Sequence, residues 1–237
     1  MFETQVILDN RDLELPITFS ASPASAIVIE ELRKYQTHEI PDVDDNEESY
    51  RQYKEFLERA LKPLGLYREE FLPATASLCY RVTYCDETAA IFRLTPVGDK
   101  SIYHRLIPGA SRKRILEVNN VAVEPAYRGD LLLGIIMKNC ALLSHTLGFE
   151  IVAGIVRYEV LPMFVDFGTV PVHHEAIHLL GDDTICDYIT YFMTREQAHV
   201  DYALARSYHY FHRKVTMKNI QTDVESRQPR GTARIGA

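Results

Sequence analysis

The sequence lacks several features that would narrow its class at once. It has no tryptophan, no internal repeat and no apolar run near the roughly 20 residues that a membrane span needs. Its four cysteines, Cys79, Cys85, Cys140 and Cys186, are scattered without a C-x-x-C pair. Such spacing is typical of buried thiols in a reducing compartment, not of a disulfide or zinc framework. The sequence therefore predicts a globular protein without a membrane span, which we expect in the cytoplasm.

Positive charge is also scarce. The 237 residues carry a formal net charge of −7, which argues against a surface built to bind nucleic acid. Residues 39–48 hold six acids and no base, whereas residues 225–237 hold three arginines among Pro and Gly. The first stretch predicts a solvated loop leading into a helix N-terminus, and the second predicts a disordered tail over 221–237.

The N-terminal third has the pattern of helices with short strands. Residues 4–8 and 16–19 have the composition of strands. A helix is expected to follow with Ser22 as N-cap and Pro23 at its first position. A second helix would be capped by Asp44 or Asp45. Its apolar residues recur at three- and four-residue steps, as an amphipathic helix requires: Tyr53, Phe56, Leu57, Ala60, Leu61 and Leu64.

From residue 78 the hydrophobic period becomes that of strands. A hairpin is expected around residues 86–88, followed by a strand over 114–123 and a helix over 131–147 that ends at Gly148. The later segments predict, in order, a buried strand at 149–156, a short helix at 161–168, a strand at 184–193 and a helix over 195–215. This order favours an α/β fold with a mixed central sheet and helices on both faces.

The same pattern suggests how the chain is organised. Residues 1–74 would form an extension of helices and strands packed on the core, and residues 75–195 the core itself. Residues 196–220 would form a C-terminal helix, and residues 221–237 the tail.

Residues 121–134, "VAVEPAYRGDLLLG", stand out because Arg128 and Gly129 lie between a strand and a helix. The helix start lies outside the carboxyl end of a strand in a β-α-β unit, where open sheets bind their ligands. Its unpaired N–H groups favour an anion such as phosphate, and Arg128 would add a fixed cation. From the residues alone, an ordinary structural turn is an equal alternative.

The segment resembles the acyl-CoA-binding segment of the GCN5-related N-acetyltransferase (GNAT) superfamily. There a strand ending in V-x-P-x-Y-R-G precedes a glycine-containing turn and a helix, whose amides hold the pyrophosphate of coenzyme A. The resemblance implies a GNAT-like fold. It assigns donor binding to Val121, Ala122, Val123, Arg128, Gly129, Asp130, Leu131, Leu132, Leu133 and Gly134. The family has glycine or alanine where this chain has Leu131 and Leu133, a departure expected to narrow the room for phosphate.

Two upstream segments, "LEVNNVAV" and "AIFRLTPVGD", resemble the E-x-S-R-x-x-V and R-L-x-P segments of acyl-homoserine-lactone synthases and N-acyl amino acid synthases. The resemblance implies that Glu117 is the general base and that Asn120, where the lactone synthases have an arginine, lies at the catalytic centre. It implies that Arg93 binds a substrate carboxylate. From the residues alone, Glu117 could equally be a salt-bridged strand carboxylate and Arg93 the partner of a nearby acid.

A downstream segment, "VRYEVLPMFVDFG", resembles the stretch after the fifth strand of the family. Phe164 stands where many acetyltransferases have the tyrosine that protonates the leaving group. Tyr158 is therefore the substitute candidate for that proton donor. The backbone N–H groups near 121–123, where the strand would splay from its neighbour, are expected to bind the thioester oxygen.

The resemblance implies an N-acyltransferase that moves an acyl group, of medium or long chain, from acyl-CoA or acyl carrier protein to an amine such as an amino acid. No resident cofactor or metal is expected. Two alternatives stay open: an acetyl-CoA-dependent N-acetyltransferase, and a catalytically degenerate GNAT-fold protein that binds or regulates.

Two further stretches, one rich in histidine and one rich in aromatic residues, suggest other functions. His173, His174 and His178 fall within six residues, but the segment is a poor helix, so solvated loop histidines are favoured over a metal site. Residues 207–214, "SYHYFHRK", could stack single-stranded nucleic acid. The buried face of a terminal helix is the preferred interpretation, and no nucleic-acid partner is expected.

Overall fold

The computed structural model describes residues 6–9, 23–41, 43, 46–67, 77–129, 131–172 and 187–227. Several expected features lie outside these ranges: the strand at 16–19, the cap Ser22, the caps Asp44 and Asp45, and the three clustered histidines.

In the described ranges, eight strands form one mixed sheet in the order β1-β2-β3-β4-β5-β6-β8-β7. Among these strands only the pair β5 with β6, inside the sheet, is parallel. The strands are β1 (Val6–Asp9), β2 (Tyr35–Ile40), β3 (Leu78–Tyr84), β4 (Glu87–Pro96), β5 (Ile115–Val123), β6 (Ile151–Arg157), β7 (Val170–Pro171) and β8 (Asp187–Met193).

The part of the chain that the structure describes also contains six α-helices. They are α1 (Pro23–Leu32), α2 (Glu47–Leu61), α3 (Ile102–Leu106), α4 (Leu132–Thr146), α5 (Leu161–Asp166) and α6 (Gln197–Arg227). Single turns of 3₁₀ helix lie at Lys62–Leu64, Pro125–Tyr127 and Tyr158–Val160.

The helices cover both faces of the sheet, as predicted for the fold class. On one face, α1, α4 and α6 share a core with inward residues such as Phe92, Leu116 and Val152. On the other face, α2 packs on Ile91 and Ala122. Further along that second face, α3 packs on Ile115, Ile151 and Ala153. Because successive strand residues point to opposite faces, neighbouring residues of β5 serve different cores.

Local sequence signals account for most of these elements. The β3–β4 hairpin turns at Cys85 and Asp86, both with positive φ (47° and 69°), as a tight hairpin turn requires. The helix expected at 131–147 is α4, and Gly148 follows it with φ 76°. In α2, the predicted stripe is buried at Tyr53, Phe56, Leu57 and Ala60, whereas Leu64 is half exposed.

Three local predictions were incomplete. The cap of α2 is Asn46, whose side chain accepts a hydrogen bond from the Ser49 N–H, in place of Asp44 or Asp45. The acidic stretch expected as a loop begins inside a strand, because Glu39 and Ile40 complete β2 against β3. Helix α6 continues to Arg227, seven residues past its expected end at 220.

The aromatic stretch at 207–214 lies within α6. Tyr208, Tyr210 and Phe211 are buried against the core, which confirms the preferred interpretation of this segment as the inner face of a helix. His209 is exposed on the outer face.

Candidate active site

A cleft opens where the two central strands separate. Strands β5 and β6 pair over three positions, from Ile115 with Ile151 to Glu117 with Ala153, and then diverge. The cleft between them has a volume of about 260 Å³. Its lining is mostly aliphatic and aromatic, with five polar side chains: Asn119, Asn120, Arg157, Thr169 and Thr190.

A β-bulge in β5 lies at the cleft wall. Arg93 and Ile91 of β4 pair with Asn119 and Ala122, so two residues of β5, Asn120 and Val121, oppose one residue of β4. Asn120 adopts φ +51°, which is unusual for a residue other than glycine. A bulge leaves its extra residue outside the hydrogen-bond ladder. Val121, next to the bulged Asn120, thus stands outside the regular pairing of β5 with β4 and lines the cleft.

The backbone groups at 121–123, expected to bind the thioester oxygen, lie at the bulge and just after it. Ala122 and Val123, which were also expected to bind the donor, pair regularly with Ile91 and Ala90 of β4. The Ala122 side chain is buried in the core beneath α2. Successive residues of a strand turn their N–H groups to opposite edges, so the pairing with β4 uses only one of these two N–H groups, and the role of 121–123 stays a prediction.

Helix α4 borders the same cleft. Leu131 occupies the N-cap position and its side chain offers no hydrogen-bond acceptor, so it caps none of the N–H groups of the first turn. Met137, one turn further, lines the cleft. The side chains of Leu131 and Leu132 are buried in the core, and Leu133 packs against it. They therefore do not narrow the approach to the amides, contrary to the sequence-based expectation.

Two residues expected to bind the donor have other contacts. The Arg128 guanidinium donates a hydrogen bond of 2.5 Å to the Ala60 carbonyl, in the last turn of α2. A Cβ on Gly134 would lie 2.5 Å from Phe211, so this glycine serves the packing of α4 against α6. Gly129 lies in the turn with φ +87°, and Asp130 is outside the described residues.

Glu117 lies where β5 and β6 begin to diverge, at the last paired position of the two strands. Its Oε1 accepts a hydrogen bond of 2.6 Å from the Tyr103 hydroxyl of α3. Burial raises the pKa of Tyr103 strongly, and the nearby Glu117 charge raises it further. Tyr103 therefore remains a protonated donor, and it holds the half-buried carboxylate in one orientation.

Arg93 is buried and does not line the cleft. Its Nε donates a hydrogen bond of 2.5 Å to Asn119 Oδ1, which ties β4 to β5 beside the bulge. The nearby Tyr53 is also buried, and its pKa is raised by that burial. This contact of Arg93 is one between two strands, and its expected role in binding a substrate carboxylate stays a prediction.

Tyr158, the substitute proton donor, is 62% exposed and packs on Tyr188, with ring centroids 6.0 Å apart. Its neighbours Arg157 and Val160 line the cleft, but Tyr158 itself does not. Phe164 does line the cleft, at the position where the family resemblance called for a tyrosine.

Two residues of the site escaped the sequence analysis. Tyr103 lies on a five-residue helix, which is too short to show a hydrophobic period in the sequence. Thr169 is 5% exposed and lines the cleft, and its Oγ1 has no hydrogen-bond partner among the residues that the structure describes. A buried hydroxyl normally has a partner, so a bound ligand is a natural acceptor or donor for it. Neither residue belongs to a sequence motif, so only the tertiary structure identifies them as part of the site.

Within the described ranges, no three His, Cys, Asp or Glu side chains come together as a metal would require. None of the helices described is long and apolar enough to cross a membrane.

No family profile and no curated protein sequence matches this chain. Solved structures do. An N-acyl amino acid synthase from uncultured soil microbes superposes with a TM-score of 0.55 at 8% identity, over 68% of this chain and 92% of that chain. The ribosomal-protein-S18-alanine N-acetyltransferase from Escherichia coli superposes with a TM-score of 0.50 at 12% identity, over 68% and 95%. At these identities the likeness establishes the fold.

Proposed function

We propose that this chain, which has the GNAT fold, is an N-acyltransferase that transfers an acyl group from acyl-CoA to a small amine such as an amino acid. One observation carries the proposal: the bulge at Asn120 and Met137 of α4 line one cleft between β5 and β6, and Glu117 lies at the last paired position before the two strands diverge. The three features supply an oxyanion donor, a phosphate site and a base. Two structures with this fold are named as N-acylating enzymes, one acting on amino acids.

The donor thioester would enter from the face covered by α4. The first N–H groups of α4 bind a diphosphate, because a helix start carries about half a positive charge and unpaired donors. The pantetheine arm then follows the cleft past Met137 and Thr169, whose hydroxyl meets an amide of the arm. The aliphatic lining supports an acyl group of medium or long chain.

The chemistry requires no covalent enzyme intermediate. An amine with a pKa of about 8 to 10 is mostly protonated at neutral pH, so Glu117, acting through water, removes its proton before attack. The negative charge that develops on the thioester oxygen is stabilised by backbone N–H groups at the bulge. A thiolate, whose conjugate acid has a pKa of about 8.5, can leave without the tyrosine that Phe164 replaces.

A second cavity supports an acceptor with a carboxylate. It has a volume of about 250 Å³ and lies between α2 and strands β2 to β4. Arg81 lines it and so does Tyr53, whose hydroxyl lies near Asn120 of the bulge. Because Arg93 is buried against Asn119, Arg81 is the better candidate to bind the carboxylate of an amino acid.

The test is a thiol-release assay with acyl-CoA donors of increasing chain length and a panel of amino acids. We expect turnover with medium or long chains, and Glu117→Gln should lower kcat by a factor of about 10²–10⁴. Glu124→Gln is the matched control, since this carboxylate of the same segment pairs with Arg59 on the surface (3.0 Å) and should retain activity.

Two results would replace the proposal. A clear preference for acetyl-CoA would make the protein an N-acetyltransferase. Tight binding of coenzyme A without thiol release, for every donor and acceptor pair, would make it a GNAT-fold binding protein.

A further inference from the structure

Helix α6 runs antiparallel to α4 and passes its start. Near one end, Ser144 of α4 lies 2.9 Å from Thr194, just before α6 begins. Near the other end, Gly134 in the first turn of α4 lies against Tyr210 and Phe211 of α6. Tyr210 and Phe211 of α6 therefore lie beside the first turn of α4, where the proposed function places the diphosphate.

A cationic pocket lies at this part of α6. It has a volume of about 330 Å³ and is lined by Asp166, Arg206, His209, Tyr210, His212 and Arg213, which we call the α6 pocket. The lining contains two guanidinium groups and two imidazoles but one carboxylate. A cavity with this excess of donors and positive charge suits a phosphate monoester.

The cations of the α6 pocket are held in place by the end of α5. Arg213 forms an ion pair of 2.7 Å with the Asp166 carboxylate, and its guanidinium lies 6.0 Å from the Tyr210 ring. Arg206 donates from Nε to the Asp166 carbonyl at 2.7 Å. A guanidinium has five N–H donors, so one such bond leaves it able to bind a phosphate in two-point fashion.

The same elements that form the α6 pocket border the cleft. Tyr210 lines the α6 pocket and contacts the first turn of α4. Helix α5 contributes Phe164 to the cleft and Asp166, two residues later, to the α6 pocket. Tyr210 is thus shared by the first turn of α4 and the α6 pocket, and α5 by the cleft and the α6 pocket.

We propose that the α6 pocket binds the 3′-phosphate of the coenzyme A donor; this inference rests on the proposed function. Coenzyme A carries a diphosphate and a ribose 3′-phosphate on the same nucleotide, which matches two neighbouring anion sites. A pantetheine arm on a carrier protein has neither the ribose nor its 3′-phosphate. The α6 pocket therefore selects a free acyl-CoA over a carrier-bound acyl group.

The decisive experiment is calorimetric titration of the full chain with coenzyme A and with 3′-dephospho-coenzyme A. We expect the dephospho form to bind about tenfold or more weakly, the range for hydrogen bonds to a charged group. Arg206→Gln combined with Arg213→Gln should reduce the affinity for coenzyme A to that for the dephospho form. Arg195→Gln is the control, because this arginine lies beside the opposite end of α6, near Glu150.

A second variant guards against misfolding of the double mutant. His209 is exposed, so His209→Glu places an anion in the α6 pocket with little effect on packing. It should weaken coenzyme A at least as much as the double substitution and leave the dephospho form within about threefold. Melting curves of all variants report on folding.

Equal affinity of the wild type for the two nucleotides would overturn the inference and leave the proposed acyltransferase intact. Failure to bind either nucleotide, with turnover of an acyl carrier protein thioester, would overturn it in favour of a carrier-protein donor. Absence of turnover with every thioester would instead refute the proposed function.

Discussion

The Tyr103 hydroxyl donates a 2.6 Å hydrogen bond to the carboxylate of Glu117. Tyr103 belongs to the short helix α3, which packs on the second face of the sheet. This hydrogen bond therefore orients Glu117, the proposed general base. Tyr103→Phe keeps the ring and removes this bond, so kcat should fall about tenfold with little change in KM. The matched control is Tyr127→Phe, which removes a 2.8 Å bond to Glu87 on the surface and should leave kcat unchanged. Equal effects of the two substitutions would contradict a positioning role.

Thr169 carries a buried hydroxyl that faces the cleft without a partner among the described residues. Thr169→Val should weaken acyl-CoA binding by about three- to tenfold, the value of one neutral hydrogen bond. Stability should hold or rise slightly, because a buried polar group is removed. Thr37→Val should instead lower stability and leave acyl-CoA binding unchanged. The Thr37 hydroxyl accepts a 2.6 Å hydrogen bond from Asn139, and neither residue lines the cleft. Titration and thermal melts of both variants separate the two roles.

Gly134 allows α4 to approach α6. A Cβ there would lie 2.5 Å from Phe211 and 2.8 Å from Tyr210, so Gly134→Ala should destabilise the fold by about 1–3 kcal/mol. The effect runs against helix propensity, which favours alanine by about 1 kcal/mol. Gly98→Ala, with no atom within 4 Å of the added Cβ, should change the free energy of unfolding little. A stabilised Gly134→Ala variant would disprove this packing role.

Arg128 bonds to the last turn of α2, so Arg128→Gln should lower stability by about 1 kcal/mol. Affinity for coenzyme A should fall about tenfold or more, because one bond leaves the exposed guanidinium with N–H donors for a phosphate. Unchanged affinity at lowered stability would contradict the anion-binding role that the sequence predicts.

Lys138 is buried on α4, and burial lowers its pKa from 10.5 to about 8. Between pH 8 and 10.5 the unfolded chain therefore holds a proton that the folded chain does not, so stability rises with pH across this window. Below pH 8 the folded protein bears the cost of a buried charge. Lys138→Met should add up to about 3 kcal/mol at pH 7 and flatten the pH dependence.

Urea unfolding at pH 7 and pH 10 measures the effect of Lys138→Met. Lys62→Met serves as the control, because Lys62 pairs with Glu58 on the surface (3.0 Å). A variant at Lys138 that is less stable than the wild type at pH 7 would show that the ammonium is well solvated or well paired.

Local patterns in the sequence carried most of the secondary structure. The β3–β4 hairpin, the strand β5 and the helix α4 with Gly148 behind it each follow from a period or a turn residue within a few positions. The strand–turn–helix at 121–134 likewise predicted where the cleft lies. Its helix begins at the carboxyl end of a strand inside the sheet, and this order can be seen in the sequence.

The partners of individual side chains were decided by tertiary structure. Arg93 and Arg128 each pair with a residue 26 or 68 positions away, and Glu117 is oriented by a helix whose sequence has no period. The bulge at Asn120 depends on the pairing register of β5 against β4.

The sequence by itself therefore determined most elements of the core and the mixed character of the sheet, since these depend on spacing along the chain, but not β2 or α3. Only the tertiary structure decided which groups face the cleft, because burial and pairing depend on contacts between segments that are distant in sequence. The α6 pocket illustrates this most clearly: its two arginines and two histidines lie on one helix, and only the packing of α5 beside α6 brings Asp166 to them.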